Sequence, residues 1–343
     1  MRRGFSVILI LLLFCKGFLI AQDIHFSQIN NTPLILNPAL AGYVTGDSRI
    51  ILNYKEQWRS ITVPYKTVAA SFDMHLFKKK WKENYMGLGV SLFNDKAGDA
   101  GMGTTKFDLS VSYKKAMRNT NNIIFGLQAG YGQRSCDISK LSWDNQYNGS
   151  SYDPTLPSNE PFTFNNNFSY FDLTAGAAWT YSPTRYFQSL LGVSLFHINQ
   201  PRLYYYETSD ERLYSKWVVH GGINYYKRNT NMTYTPSFIY FRQGSLQELT
   251  FGSIFRYRLR EASRYTGYYE ENAICFGIWY RFKDALIPCI RYEYGGKYFI
   301  EVSYDTNISD LTNASHARGG FEISLMFITH GKNKRDLAKP KFR

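Results

Sequence analysis

The residues of this chain best suited to chemistry are its cysteines and two of its histidines. Beyond the first 21 residues the cysteines are Cys136, Cys275 and Cys289, and no C-x-x-C pair or histidine cluster gives them the spacing of metal ligands. Cys275 and Cys289 fall on neighbouring predicted strands on either side of a turn. The sequence leaves open whether they form a disulfide, because a bridge needs Cα atoms within about 7 Å. We predict no metal and no cofactor.

His25 and His197 are the histidines that merit consideration as a base or a ligand. His25 stands beside Phe26, where a single histidine more often packs and forms local hydrogen bonds. His197 ends a predicted strand, and no carboxylate or nucleophile stands at a spacing that suggests catalysis. The sequence contains neither Gly-x-Ser-x-Gly nor His-Glu-x-x-His. We therefore predict that the chain is not an enzyme.

The elements that position these residues follow one pattern, an alternation of apolar and polar side chains. Between Gly320 and Phe327 every second residue is Phe, Ile or Leu, and the residues between them include Glu322 and Ser324. Successive side chains of a strand leave opposite faces, so this pattern is typical of a half-buried strand. The chain also has 28 Tyr, 25 Phe and a mean hydropathy of −0.34, which suits a lipid-facing band offset by a polar lumen. We predict an all-β fold, an outer-membrane antiparallel β-barrel.

About fourteen such runs are separated by Gly, Asn, Asp and Lys, an even number that one chain can close into a barrel. Lys106, Arg291 and Glu293 are assigned to the lumen, because Arg or Lys facing lipid near the midplane costs roughly 2 to 4 kcal/mol. Between residues 171 and 181 the side chains on one face of the predicted strand are small, which suits a narrow or a plugged lumen. The predicted strands are 48–54, 66–73, 85–94, 105–113, 122–135, 168–181, 188–198, 216–226, 232–241, 247–257, 273–281, 285–294, 298–306 and 320–327.

The connections between these runs predict an orientation. Short periplasmic turns and long outer loops are usual in bacterial barrels. The longest outer loops are predicted at 136–167 and 199–215, whereas 258–272 is an exception, a long connection on the inner side. Long loops without strands are often functional.

The start of the chain has the pattern of an export signal, with two arginines, an apolar run and a Leu-Ile-Ala cleavage site. The net charge of +13 does not indicate nucleic-acid binding, because outside the C-terminal tail the basic residues are interspersed with acidic ones. The predicted organisation is a signal peptide at 1–21, a periplasmic lead-in at 22–47, a transmembrane barrel at 48–328 and a basic tail at 329–343.

Several motifs, in order and spacing, resemble one known family. Residues 22–28 read QDIHFSQ, residues 36–42 read LNPALAG, and residues 197–201 read HINQP. These and other segments resemble the PorP/SprF family over nearly the whole predicted mature chain. Pro38 fixes φ and Gly42 permits a positive φ, so we expect structural roles for the motif residues. They are His25, Phe26, Asn37, Pro38, Ala39, Gly42, Asn53, Tyr54, Gln57, Trp58 and Glu322.

Members of the PorP/SprF family are outer-membrane proteins of the type IX secretion system. The resemblance implies secretion or surface anchoring of proteins, including gliding adhesins, that carry a type B C-terminal sorting domain. The expected partners are outer-membrane lipid, such cargo and other subunits of the system. A general porin without a secretion role fits the alternation equally well, but it does not need the lead-in.

Aromatic residues of the outer loops are candidates for cargo contact, because Tyr and Trp can anchor a partner by burying large, rigid area. The alternative is an interface girdle that touches lipid headgroups. The candidates are Trp143, Tyr147, Tyr152, Phe162, Tyr204 and Tyr205.

Overall fold

The computed structural model shows a closed antiparallel β-barrel. It describes residues 23–59, 63–77, 84–118, 120–137, 140–157, 167–204, 211–260, 271–309 and 312–330. Each strand pairs with its neighbours in sequence, and β1 closes the barrel against β14. The strands are β1 Ser48–Gln57, β2 Tyr65–Leu76, β3 Tyr85–Ala97, β4 Met102–Arg118, β5 Asn121–Ser135, β6 Asn167–Thr184, β7 Phe187–Phe196, β8 Lys216–Tyr226, β9 Met232–Gln243, β10 Leu246–Arg260, β11 Asn272–Arg281, β12 Ala285–Tyr294, β13 Tyr298–Asn307 and β14 Arg318–Thr329.

The predicted fold class and strands are confirmed. Strands β8 and β12 have the predicted bounds, and most others extend a few residues further. Strand β7 ends at Phe196 instead of Ile198, because His197 adopts a positive φ of 55°. Within the described residues, no helix combines the length and the apolar character needed to cross a membrane.

The alternation assigns the two faces of the wall as predicted. Phe321 and Leu325 are exposed on the outer face, whereas Glu322 between them is buried in the lumen. Lys106 and Glu293 are also buried on the inner face. The outer face is therefore the apolar one, as a lipid-facing surface requires.

The two ends of the barrel differ in the connections that they carry. We call the end where β1 begins and β14 finishes the terminal end, and the opposite end the loop end. The connections after β4, β6, β8, β10 and β12 lie at the terminal end. Those between β5 and β6 and between β7 and β8 lie at the loop end, together as predicted.

The described residues before β1 lie within the lumen, although the sequence suggested a periplasmic lead-in. They include the short helices Ile29–Asn31, Pro33–Leu36 and Pro38–Leu40. The small side chains on the lumen face left open a narrow or a plugged lumen, and the structure has the plugged lumen. The predicted signal peptide and the tail after His330 fall outside the described residues.

Candidate functional site

Residues 23–47, which we call the plug, cross the lumen from the loop end to the terminal end. At the loop end the Asp23 carboxylate lies 2.6 Å from the His197 ring. At the terminal end the Asp47 amide donates to the last residue of β14 at 2.7 Å. Several plug side chains between these points have no exposed surface, namely Leu34, Asn37, Ala39 and Ala41. The plug is therefore packed like a protein core.

Two prolines and one asparagine shape the middle of the plug. Pro33 and Pro38 each open a short helix, where a fixed φ is favourable and a missing N–H costs nothing. Between them, the Asn37 amide donates to the Pro33 carbonyl at 2.9 Å. The Asn37 side-chain oxygen accepts from the Ala39 amide at 2.9 Å and caps the second helix.

The side-chain nitrogen of Asn37 joins the plug to the wall. Its Nδ2 lies 3.1 Å from the Ala177 carbonyl and 3.2 Å from the Val193 carbonyl. It also lies 3.1 Å from Nε2 of His220, a lumen histidine that sequence reasoning did not single out. One asparagine thereby contacts β6, β7 and β8.

Glycines on the lumen face make room for the plug. A Cβ atom at Gly126 would overlap the Ala39 backbone, and one at Gly176 would overlap the Asn37 side chain. Gly42, in the plug itself, has a positive φ of 69°, and a Cβ there would lie 2.7 Å from the Met74 carbonyl oxygen. The wall and the plug are therefore matched in shape at these positions.

Glu322 on β14 holds the plug near the loop end. Its buried carboxylate accepts from the Ser27 amide at 2.8 Å and from the Gln28 amide at 3.0 Å. The Gln28 side chain in turn donates to the Ser303 hydroxyl at 3.0 Å. One carboxyl group thus accepts from two consecutive backbone amides of the plug, so this is a firm attachment.

Charged residues of other strands reinforce the same segment. The Arg281 guanidinium donates to the Ser27 hydroxyl at 2.9 Å and to Asp305 at 3.0 Å. The Lys55 ammonium donates to the His25 carbonyl at 2.7 Å. At His25 and Ser27 the lumen wall thus contacts the plug with ionic groups.

His25 and Phe26 are packed rather than reactive. The His25 ring lies 6.0 Å from the Phe241 ring, and its Nε2 lies 3.7 Å from the Glu248 carboxylate. Burial, followed by the nearby Lys55 charge, holds the pKa of His25 well below its ordinary value. Phe26 packs against Ala69 and Phe93.

His197 is the centre of a buried ionic cluster at the loop end. Its Nδ1 lies 2.9 Å from Asp172, and its Nε2 lies 2.6 Å from Asp23 of the plug. Lys106 approaches the same Asp172 carboxylate at 2.6 Å and Asp108 at 3.2 Å. No sequence pattern indicates this cluster, because its members come from β4, β6, the residue after β7 and the plug.

The cluster favours a charged histidine. Burial alone would lower the pKa of His197, but the Asp23 and Asp172 carboxylates outweigh burial and hold that pKa above its ordinary value. Burial would likewise raise the pKa of Asp23, yet His197 and Lys216 hold it well below its usual range. Both ring nitrogens of His197 face carboxylates, so neither is available to activate a nucleophile. The arrangement suits an ionic attachment of the plug to the wall, not a catalytic base.

A cavity of about 690 Å³ opens at the terminal end of the lumen. On one side it is lined by apolar plug residues, among them Ile29, Leu36 and Leu40. On the other side are paired charges, with Arg256 lying 2.6 Å from both Glu293 and Glu271. The plug therefore fills the loop half of the lumen more fully than the terminal half.

The connections at the loop end present some of the predicted aromatic residues to the surface. Tyr147, Tyr152 and Tyr204 are exposed, whereas Trp143 is half-buried. Tyr147 and Tyr152 form a small β-bridge within their loop. Phe162 and Tyr205 fall outside the described residues.

The connection between β7 and β8 rests on the barrel rim. Leu203 and Leu213 are buried against Tyr170 of β6, with Phe168 packed beside them. An antiparallel β-bridge between Arg202 and Arg212 connects the two arms of the loop. Tyr204 is therefore displayed from a supported position.

The remaining motif residues lie on or next to β1. The Asn53 side-chain Nδ2 donates to the Ser324 hydroxyl at 2.6 Å across the seam with β14. The Tyr54 hydroxyl donates to Glu56 at 2.8 Å. Gln57 is the last residue of β1 and pairs with Gly320. Trp58 turns the chain with a positive φ of 58°, and its ring lies 4.8 Å from the Tyr65 ring.

The cysteines are separate in the structure. Cys275 pairs in register with Arg291, and Cys289 with Gly277, so the two thiols are offset along neighbouring strands. Cys136, Cys275 and Cys289 are all free thiols. Among the described residues no group of His, Cys, Asp and Glu side chains is arranged to hold a metal ion.

Comparisons with known proteins give one extensive match. The model of the family described as "Type IX secretion system membrane protein PorP/SprF" matches residues 19–327. No curated protein matches the chain.

Solved structures that resemble the chain are also barrels. The Ralstonia pickettii toluene transporter TbuX is 10% identical with a TM-score of 0.48, covering 88% of this chain and 94% of that one. A Pseudomonas aeruginosa FadL homologue is 10% identical with a TM-score of 0.44, covering 88% and 95%. The P. putida toluene transporter TodX is 8% identical with a TM-score of 0.44 and the same coverage of 88% and 95%. Similarity at this level says nothing about what this chain binds.

Proposed function

This chain belongs to the PorP/SprF family of type IX secretion system membrane proteins, and we propose that it is a non-enzymatic outer-membrane component of that system. Its role is to secrete cargo proteins with type B C-terminal sorting domains, gliding adhesins among them, or to anchor them at the cell surface. The apolar outer face of the closed barrel supports a place in the outer membrane.

The observation that carries this proposal is the plug. A diffusion porin needs a water-filled lumen, whereas residues 23–47 of this chain occupy the lumen and are held by Asn37, Glu322 and the His197 cluster. The plugged lumen therefore argues against the alternative of a general porin. It leaves the loop end as the surface on which a partner can be recognised.

The cargo site that we propose is the outer-loop surface around Tyr147, Tyr152 and Tyr204. All three side chains are exposed, and Tyr204 stands on a loop anchored by buried leucines. Trp143, Phe162 and Tyr205 belong to the same two loops in sequence. Exposed tyrosines on supported loops are typical anchors of protein partners.

The test is surface display in a strain that lacks the gene and carries either the full chain or a variant with 136–167 shortened. We expect the variant to reach normal abundance and to migrate as a folded barrel, yet to display no cargo. Full display by the folded variant would remove this loop from the mechanism. Full display in the strain without any copy would remove the secretion role itself.

Conductance of the purified barrel in a planar bilayer separates the secretion role from the porin. We expect the full chain to conduct poorly because the plug is in place. Steady, large conductance by the full chain would favour the porin. A pull-down from detergent-solubilised membranes, read by mass spectrometry, would then identify cargo and other subunits.

A further inference from the structure

The terminal end of the barrel has a basic rim. Exposed cations stand on its turns and strand ends, namely Lys115, Arg185, Lys227, Arg228 and Arg260. The acidic residues that the described part of this rim provides are Asp47 and Glu271.

The loop end has no such excess of one sign within the described connections. In the connection after β5, Lys140 stands with Asp137, Asp144 and Asp153. In the turn after β11, Lys283 is followed directly by Asp284. The positive charge is therefore a property of one end of the barrel and not of the whole surface.

The basic rim borders an aromatic belt on the outer face. Near the turn after β8, Tyr225 and Tyr234 are stacked with ring centroids 6.5 Å apart. Near the turn after β6, Trp179 and Tyr181 are stacked at 5.9 Å. Trp and Tyr on the outer face of a barrel mark the depth of the lipid headgroups. Lys227 stands two residues beyond Tyr225 and Arg185 four residues beyond Tyr181, where phosphate groups of lipids are found.

The distribution of the cations around the barrel indicates the partner. Lys115 is on β4, Arg185 follows β6, Lys227 follows β8, and Arg260 ends β10. These elements run from β4 to β10, nearly half of the fourteen-strand circumference, so the cations form an arc and not a compact patch. A protein partner docks on a patch, whereas lipid surrounds the barrel and meets an arc at every point.

We propose that the basic rim of the terminal end selects anionic phospholipids by binding their headgroup phosphates. Lysine and arginine close to an anionic membrane surface each favour binding, and the attraction falls off within a Debye length. The consequence is a shell of anionic lipid around one end of the barrel only. This inference is independent of the cargo-related function proposed above.

The experiment is spin-label EPR of the full chain in phosphatidylcholine vesicles, with trace spin-labelled phosphatidylglycerol or phosphatidylcholine as the probe. We expect the barrel to immobilise phosphatidylglycerol about threefold more than phosphatidylcholine at low salt, since each basic residue contributes attraction. The variant Lys115→Gln/Arg185→Gln/Lys227→Gln/Arg228→Gln should lose this preference. The matched control Arg59→Gln/Lys66→Gln/Lys140→Gln/Lys283→Gln removes the same charge at the loop end and should keep it.

Equal immobilisation of the two probes by the natural chain would overturn the proposal, and so would equal loss in both variants. Unchanged lipid preference in the terminal-end variant would also overturn the proposal. If that variant in addition lost a co-purifying periplasmic protein, the rim would be a protein-docking surface. If the terminal-end variant fails to fold, the test is to raise the salt concentration with the natural chain and measure the lipid preference again. The preference must then disappear as the charges are screened.

Discussion

The Ser27 amide donates to the Glu322 carboxylate at 2.8 Å, although the two residues are 295 positions apart in sequence. This hydrogen bond joins the plug to the last strand of the barrel. The same carboxylate also accepts from the Gln28 amide.

Replacing Glu322 with Gln should loosen the plug without unfolding the wall. The change leaves one acceptor oxygen where two amides now donate, and an unsatisfied buried donor costs about 1 to 3 kcal/mol. We expect faster hydrogen exchange of the Ser27 and Gln28 amides and a higher single-channel conductance. Glu56→Gln, on the neighbouring strand β1, is the control and should change neither. Unaltered exchange in Glu322→Gln would show that other contacts hold the plug.

Replacing Gly176 with Val should push the plug away from the wall. A Cβ at Gly176 would overlap the Asn37 side chain, and overpacking typically costs about 1 to 3 kcal/mol. The neighbouring Ala177→Val, whose side chain points to the opposite face of β6, is the matched control. We expect urea denaturation to show a loss of stability in the first variant only. Equal stability of the two variants would mean that the wall can shift to accommodate the added atoms.

Attachment of the plug at the loop end should weaken as the pH rises. The pKa of His197 is above its ordinary value of 6.5 in the folded chain, since Asp23 and Asp172 outweigh the effect of burial. Its contribution is therefore fully present below pH 6.5 and is lost as the pH rises through the higher folded value. We expect hydrogen exchange near Asp23 to accelerate, beyond its intrinsic pH dependence, above neutral pH.

Two variants test this pH dependence. His197→Gln should abolish it, whereas His316→Gln, at an exposed histidine of the loop end, should retain it. The pKa of Asp23 is lowered, so its own contribution persists down to acidic pH and is lost only as the pH falls through that lowered value. The same rise in exchange in His197→Gln would assign the effect to another group.

Replacing Leu325 with Arg should impair folding of the barrel. Leu325 is exposed on the outer face of β14 and lies opposite Leu52 across the closing seam. A lipid-facing Arg costs about 2 to 4 kcal/mol near the midplane and less toward an interface. We expect a lower folded fraction by heat-modifiable migration, with Leu325→Met as a neutral control. Normal folding of the Arg variant would place this position away from the midplane.

Replacing Tyr147 with Ala should weaken cargo retention at the loop end if the proposed role is right. An anchor side chain of an interface typically contributes about 2 to 4 kcal/mol. The measurement is co-purification of cargo with the folded barrel, and Tyr147→Phe, which keeps the ring, is the control. Equal retention by the Ala variant would place Tyr147 in the interface girdle instead.

The wall of the barrel could be predicted from sequence because its pattern is local. Alternation along β14 assigns Phe321 and Leu325 to one face without knowledge of any distant residue, and the same holds for Lys106 on β4. Strand ends were less accurate, as at His197, where a left-handed residue ends β7 early. Nothing in the local pattern of residues 22–47 distinguishes a segment in the periplasm from one in the lumen.

The plug and the His197 cluster could not be predicted because their contacts are distant in sequence. Asn37 meets His220, and Asp23 meets His197, with 183 and 174 positions between them. One signal was nevertheless present, since Gly126 and Gly176 stand on the lumen parity of two long strands. Glycines there leave room for something inside, and the alternation alone does not say what.

The attachment of Ser27 to Glu322 also links the plug to the closing seam of the barrel. Residues 23–47 are the first described residues of the chain, and β14, the last strand in sequence, closes the ring against β1. A segment threaded through a closed cylinder must enter from one mouth, whereas one gathered before closure is simply enclosed. The carboxylate that receives the plug stands on the closing strand, so one strand both seals the cylinder and holds its contents.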